Sequence, residues 1–170
     1  PVIPMIVKNK EHDARERILS AAVSLFAMRG FEGVSTTQVA KMAGVTQPLI
    51  HYHFKNKDAL WKAAVDKLFG DFGRDYGRAI DDVAFLDKKI LLMEIIRQFV
   101  VMSVKYPEVG QFIMREGSQE TDRLHWMVTE WVEPLLGKYM HVFKLGVRDG
   151  WLRDIPLPQF TLLITTTSAQ

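Results

Sequence analysis

A helix-turn-helix reading of residues 35–57 constrains the chain more than any other feature. The stretch runs Ser-Thr-Thr-Gln-Val-Ala-Lys-Met-Ala-Gly-Val-Thr-Gln-Pro-Leu-Ile-His-Tyr-His-Phe-Lys-Asn-Lys. Ser35 or Thr36 offers a side-chain oxygen to the free N–H groups of a first short helix. Val39, Ala40 and Ala43 fall at helical spacing and can face a core. Gly44 stands where a helix ends in the left-handed conformation, and Val45 supplies an apolar plug for the turn. Thr46 can cap a second helix, and Pro48 is tolerated in its first turn, where a missing N–H costs nothing. Two short helices joined by such a turn form the DNA-binding supersecondary unit, although similar turns also join surface helices in other all-α proteins.

The second helix has a surface suited to a duplex. Gln47, His51, Tyr52, His53, Lys55 and Lys57 crowd one segment. Gln47 can read a base edge, Pro48 and Leu49 can touch a thymine methyl, and the His, Tyr and Lys side chains can hold phosphates.

The run from Thr36 to Leu60, together with Arg17-Ile-Leu-Ser-Ala-Ala-Val-Ser-Leu-Phe and Arg29-Gly-Phe-Glu-Gly-Val-Ser upstream, resembles the TetR family of bacterial transcription regulators. The likeness covers residues 15–60 closely and the remainder only in helical layout. One departure is His51, where many members carry Tyr, so an imidazole stands in place of a phenol. The resemblance implies an all-α protein: an N-terminal three-helix DNA-binding domain followed by a helical bundle that binds an effector and dimerises. The DNA-binding set it implies is Thr36, Thr37, Gln47, Pro48, Leu49, His51, Tyr52, His53 and Lys57. The implied partners are double-stranded operator DNA, a largely apolar small-molecule effector and a second copy of the chain. The family layout calls for two further helices at the dimer interface, so the resemblance implies a chain shortened at its C-terminus.

Charge distribution fits two units. Residues 1–60 hold eight Lys/Arg (Lys8, Lys10, Arg15, Arg17, Arg29, Lys41, Lys55, Lys57) against five acids (Glu11, Asp13, Glu16, Glu32, Asp58), whereas the whole 170-residue chain carries only +2. A basic N-terminal part beside a near-neutral remainder suits one DNA-binding unit and one with another task. There is no cysteine, which excludes disulfides and thiolate chemistry. The apolar opening residues lack a basic segment before them, so no signal peptide is read there. Ile90 to Val104 carries Glu94, Arg97 and Gln98 and reads as a buried helix rather than a membrane span. The expected setting is the cytoplasm.

Residues 1–12 lack periodicity and are predicted as a flexible arm; the resemblance implies residues 13–60 as the DNA-binding domain and residues 61–170 as the effector-binding and dimerisation domain. A first helix over Asp13–Arg29 buries Ile18, Leu19, Ala22, Val23 and Phe26. A long helix opens at Asn56 or Lys57 and runs to Ile80, with Gly70, Gly73 and Gly77 along one side. That row permits either close packing of a neighbour or a bend. Leu86 to Lys105 is apolar nearly all round and is predicted to lie at the centre of a bundle. Pro107 to Glu116 forms a shorter helix. A further helix starts near Glu120 and is kinked or restarted at Pro134. Residues 159–170 are predicted as the start of another helix.

No catalytic or metal-ligating motif is present, and no cofactor is implied. His51 and His53 project roughly 200° apart on a helix and cannot readily share a metal. Phe99, Met102, Phe112, Trp126, Trp131 and Phe160 are candidates to line an apolar effector cavity, with Met114 and Met140 nearby in pattern and His125, Glu130 and Arg115 as polar contacts. For any one of these residues core packing is the better explanation. The functional reading is a ligand-responsive DNA-binding transcriptional regulator, a repressor released by a small molecule. The alternatives are an all-α carrier without a DNA role, or a transcriptional activator.

Overall fold

The computed structural model describes the backbone of residues 3–153 and the side chains of residues 12–153. Among these residues there are eight α-helices and one π-helical turn, with no strand. The expected helix at residues 159–170, and Phe160 with it, lie outside the described residues.

Helix α1 spans Ile3–Arg29, starting well ahead of the predicted Asp13. Pro4 falls in its first turn, where proline is tolerated, and nothing between Met5 and His12 interrupts a helix. The segment read as an arm therefore continues the helical backbone. Ile18, Leu19, Ala22, Val23 and Phe26 are buried as their spacing predicts. Gly30, at φ 71°, ends the helix, and its N–H donates to the Phe26 carbonyl.

Helices α2 (Thr36–Ala43) and α3 (Gln47–Phe54) follow, then α4 (Lys57–Asp81), which opens at an Asn56 cap whose side chain accepts from the Ala59 N–H at 2.8 Å. Helix α4 is the spine of the molecule. One face buries Leu60, Trp61, Ala64, Val65, Leu68, Phe69, Phe72, Tyr76 and Ile80, and these belong to a single buried cluster running from Ile18 in α1 to Val142 near the end of the chain. The glycine row lies against the last long helix. A Cβ at Gly70, Gly73 or Gly77 would meet Trp131, Leu135 or Lys138 respectively, all at 3.4–4.0 Å. A methyl group at each would make ordinary van der Waals contact, so packing does not itself require the glycines, and α4 remains one continuous helix.

Helix α5 (Lys88–Lys105) is capped by Asp87. It buries Leu91, Leu92, Ile95 and Met102 but leaves Ile90, Met93, Val100, Val101 and Val104 exposed. The expected burial on all sides is thus not met. Apolar composition does not say how many neighbours a helix has, and no described residue covers that face. Helix α6 (Pro107–Glu116) begins directly on its proline.

Helix α7 (Asp122–Met127) is capped by Thr121 and passes through a π-helical turn at Val128–Val132 into α8 (Glu133–Arg148). Pro134 explains the widened turn. Its nitrogen cannot donate to the preceding turn, and its ring would crowd a carbonyl there, so the backbone inserts a residue and restarts.

Polar ties fix α4 to its neighbours. Lys67 reaches Glu16 of α1 at 2.9 Å, and that contact leads in raising its pKa. Asp75 accepts from Lys105 and, at 2.6 Å, from the Tyr106 hydroxyl, which together hold its carboxyl below the usual range. The buried Tyr76 hydroxyl donates to the Ile95 carbonyl at 2.9 Å.

Candidate DNA interface

Two helices of eight residues each build the exposed face. Ser35 closes a reciprocal cap at the start of α2: its hydroxyl accepts from the Gln38 N–H at 3.2 Å, and the Gln38 side chain accepts from the Ser35 N–H at 2.8 Å. Gly44, at φ 64° and ψ 38°, ends α2 in the left-handed region, and the Val45 N–H returns to the Ala40 carbonyl at 3.0 Å. Val45 packs against the core as the plug of the turn. Thr46 departs from its predicted role. Its backbone is extended at the start of α3, but its side chain makes no capping hydrogen bond. Pro48, which needs no partner, takes up part of that first turn instead.

Val39, Ala40 and Ala43 of α2 and Ile50 and Phe54 of α3 are buried. This fixes the outward faces. Thr37, Gln47, Pro48, His51 and Tyr52 are exposed, and Thr36, Leu49, His53 and Lys57 are half-buried. The start of α2 touches the start of α3. The Thr37 hydroxyl donates to Gln47 Oε1 at 3.1 Å, and Gln47 Nε2 donates to Thr36 Oγ1 at 3.4 Å. Tyr52 stands out from the surface at 71% exposure, with its ring edge-on to His53 at 5.1 Å. The two histidines part as their spacing predicts. His51 is exposed, whereas His53 turns inward, its Nε2 buried without a hydrogen-bond partner among the described residues.

The α3–α4 corner holds the backbone strain of this face. Lys55 adopts φ 58° and ψ −54°, and the Asn56 N–H closes onto the Phe54 carbonyl at 2.5 Å, making a γ-turn. Positive φ at a residue with a side chain costs about 1–3 kcal/mol and persists only where neighbours impose it. Here the Lys55 N–H is held by the His51 carbonyl at 3.0 Å and the Lys55 carbonyl lies 3.2 Å from His51 Nδ1. His51 thus braces the corner while its other ring nitrogen remains available to a partner.

Lys57 sits differently from the other members of the set. Its ammonium lies over the Phe31 ring at 4.2 Å, and the Arg123 guanidinium lies over the same ring at 3.8 Å. Arg123 also approaches the buried Glu116 at 3.4 Å and Glu32 at 3.8 Å. Beside them Arg115 donates from Nε to the Ala27 carbonyl at 2.6 Å and from its terminal nitrogen to the Met28 carbonyl, capping the end of α1. Cations suit a helix C-terminus, where carbonyls lack partners. A cavity of about 190 Å³ opens here, lined by Arg29, Phe31, Glu32, Arg115, Glu116 and Arg123 among others. This junction of α6 and α7 with the end of α1 gives the bundle a second connection to the first three helices besides α4. Nothing in the spacing of Arg115 and Arg123 identifies it, because the partners lie far away in sequence.

The candidate effector residues do not converge. Phe112 and Trp126 gather on Trp61, whereas Phe99 packs edge-on to Phe72 and Tyr76. Trp131 lies over Gly70 and donates to Asp66 at 3.0 Å, and Met102 is buried. Met114, His125 and Glu130 are exposed, and Arg115 is taken up by α1. No group of His, Cys, Asp or Glu among the described residues could hold a metal, and no described helix is long and apolar enough to cross a membrane.

An all-helical chain whose N-terminal helices present a capped helix-turn-helix is, as a class, a DNA-binding transcriptional regulator. The comparisons agree and narrow the class. Residues 18–64 match the family described as bacterial regulatory proteins, tetR family. The probable HTH-type transcriptional regulator YttP of Bacillus subtilis is 24% identical over 87% of this chain and 72% of its own length. In structure, the hemolysin II transcriptional regulator HlyIIR superposes with a TM-score of 0.76 at 22% identity, covering 92% of this chain and 85% of its own. FadR from Bacillus subtilis, solved in complex with stearoyl-CoA, superposes with a TM-score of 0.67 at 20% identity over 90% of this chain and 82% of its own. Residues 18–64 thus match the tetR-family DNA-binding unit, and the helices that follow share the overall fold of these regulators.

Proposed function

We propose that the protein is a repressor whose α3 enters the major groove of an operator and which a small molecule releases. The observation that carries this reading is the exposed start of α3, where Gln47, Pro48, His51 and Tyr52 share an outward face while Ile50 and Phe54 anchor it from behind. Gln47 reads a base edge and Pro48 and Leu49 meet a thymine methyl. Thr36, Thr37, His51, Tyr52, His53 and Lys57 complete the contact set through phosphates and local support. Two copies of the chain set two such helices roughly 34–36 Å apart, one helical turn of duplex. The protein acts in the cytoplasm, where its operator lies.

The effector binds within the bundle beside α4, where the half-buried aromatics sit at separate places, Trp126 at Trp61, Trp131 at Phe69 and Phe99 at Phe72. The stearoyl-CoA held by FadR supports a largely apolar ligand. A ligand shifts DNA affinity only by binding the two states differently. Both α4 and the Arg115–Arg123 junction can transmit such a shift to α1–α3.

The test is a footprint on the DNA upstream of the protein's own coding region, followed by titrations on that site and on random duplex. Gln47→Ala should cost about 1–3 kcal/mol on the site, with little change on random DNA. Equal losses on both would remove Gln47 from base reading. Absence of any salt-dependent binding would leave the carrier reading instead.

A further inference from the structure

We infer that Thr36 and Thr37 are positioning residues for base choice: from the start of α2 they orient the carboxamide of Gln47 at the start of α3. The inference rests on the proposed reading of Gln47 as a base contact.

A carboxamide offers two oxygen lone pairs and two N–H donors. The Thr37 hydroxyl occupies one lone pair at 3.1 Å, and Thr36 Oγ1 takes one N–H at 3.4 Å. One lone pair and one N–H remain. That pair matches the N6 donor and N7 acceptor that adenine presents in the major groove. A lone exposed glutamine would sample many rotamers and lose that freedom on docking. Here the side chain is tied at both ends of its amide before DNA arrives. Thr36 is half-buried and follows directly on the Ser35 cap, which fixes the backbone that carries its hydroxyl. In water each of these bonds is weak. When a base edge displaces the solvent they decide how the amide faces.

The test uses the full chain and a library of duplexes randomised across the site found by footprinting. Wild type is compared with Thr37→Val, Thr36→Val, Thr37→Ser, Gln47→Ala and the Thr37→Val, Gln47→Ala double variant. Circular dichroism confirms that each is folded. Thr37→Val keeps the shape and removes the hydroxyl, and should flatten the preference at one base pair by about five- to tenfold, part of what a bidentate contact supplies. The slope of affinity against salt should not change, because no cationic side chain is lost. Thr37→Ser should restore the preference, and Thr37→Val should do nothing further once Gln47 is alanine. A uniform loss over all sequences would overturn the inference, as would an equal shift with and without Gln47, which would mean that Thr37 touches the base itself. If Gln47→Ala flattens a base pair and neither valine variant does, only this inference fails. If Gln47→Ala leaves the preference unaltered, the reading of Gln47 fails with it.

Discussion

Helices α3 and α5 use apolar residues in opposite ways. In α3, eight residues long, Ile50 and Phe54 are buried and Gln47 and His51 are exposed, so polarity and burial coincide apart from Pro48, Tyr52 and His53. In α5, eighteen residues long, Leu91 and Ile95 are buried while Met93 and Val104 are exposed at 66% and 71%. A helix whose outer face meets a polar partner must separate its faces chemically. A helix in a bundle can be apolar all round whatever number of neighbours it has, so its composition carries no direction. The first three helices are therefore readable from pattern, and the bundle is not.

The largest expected effect bears on whether these two regions are separate at all. Trp61 is fully buried and touches Phe31 of the first unit as well as Phe112 and Trp126 of the bundle. Trp61→Ala should cost about 3–5 kcal/mol, as large-to-small changes at buried aromatics do. Because the buried cluster is continuous along α4, circular dichroism and DNA binding should be lost at the same denaturant concentration. Two separate transitions would show that α1–α3 and the bundle are held independently.

The particular residues show why some of this was legible and some was not. Gly44 and the Ser35–Gln38 cap are local devices, complete within a few residues; pattern located Gly44 and narrowed the cap to Ser35 or Thr36, but not the Gln38 half. The extents of α4 and α6 followed from periodicity and from Pro107. Thr46 was misassigned because a capping residue type does not guarantee a capping geometry when proline follows. The contact of Gln47 with Thr36 and Thr37 spans a turn, and the Arg115 cap on α1 spans most of the chain, so neither leaves a periodic trace. The aromatics of the bundle were legible as core but not as one site, since residue type does not say that Phe99 gathers on Phe72 while Trp126 gathers on Trp61.

A smaller effect sharpens the comparison from inside the bundle. Tyr76 is the polar exception on the buried face of α4, and its hydroxyl donates to the Ile95 carbonyl of α5 at 2.9 Å. Tyr76→Phe should cost about 1 kcal/mol near neutral pH, the ordinary net worth of such a bond. Burial pushes the phenol above its ordinary value of 10.0, with Tyr139 adding to the shift. The folded chain thus keeps its proton at a pH where the unfolded chain has released it. The stabilisation is complete below about 10 and is lost as pH rises through the folded value. Denaturant midpoints measured from neutral to alkaline pH should fall less steeply in Tyr76→Phe than in wild type. Burial also raises the Tyr139 phenol, so part of the fall should remain. Parallel curves for the two proteins would separate Tyr76 from the alkaline response.

The smallest expected effect is the one that most directly challenges the contrast between α3 and α5. Val104 and Ile95 lie on the same helix and are both β-branched, yet one is 71% exposed and the other 3%. Ile95→Ala should cost about 2–5 kcal/mol, the usual range for deleting a buried branched side chain. Val104→Ser should stay within about 0.5 kcal/mol, as exposed substitutions away from special features do. A loss at Val104 approaching that at Ile95 would mean that the outer face of α5 is covered in the folded protein. In that case α5 would be the central helix its composition suggests. Its apolar outer face, like the polar face of α3, would then report a partner. The pair of substitutions, measured by denaturant unfolding at several protein concentrations, also separates cover by the same chain from cover by a second copy. Only the latter makes the Val104 loss depend on concentration.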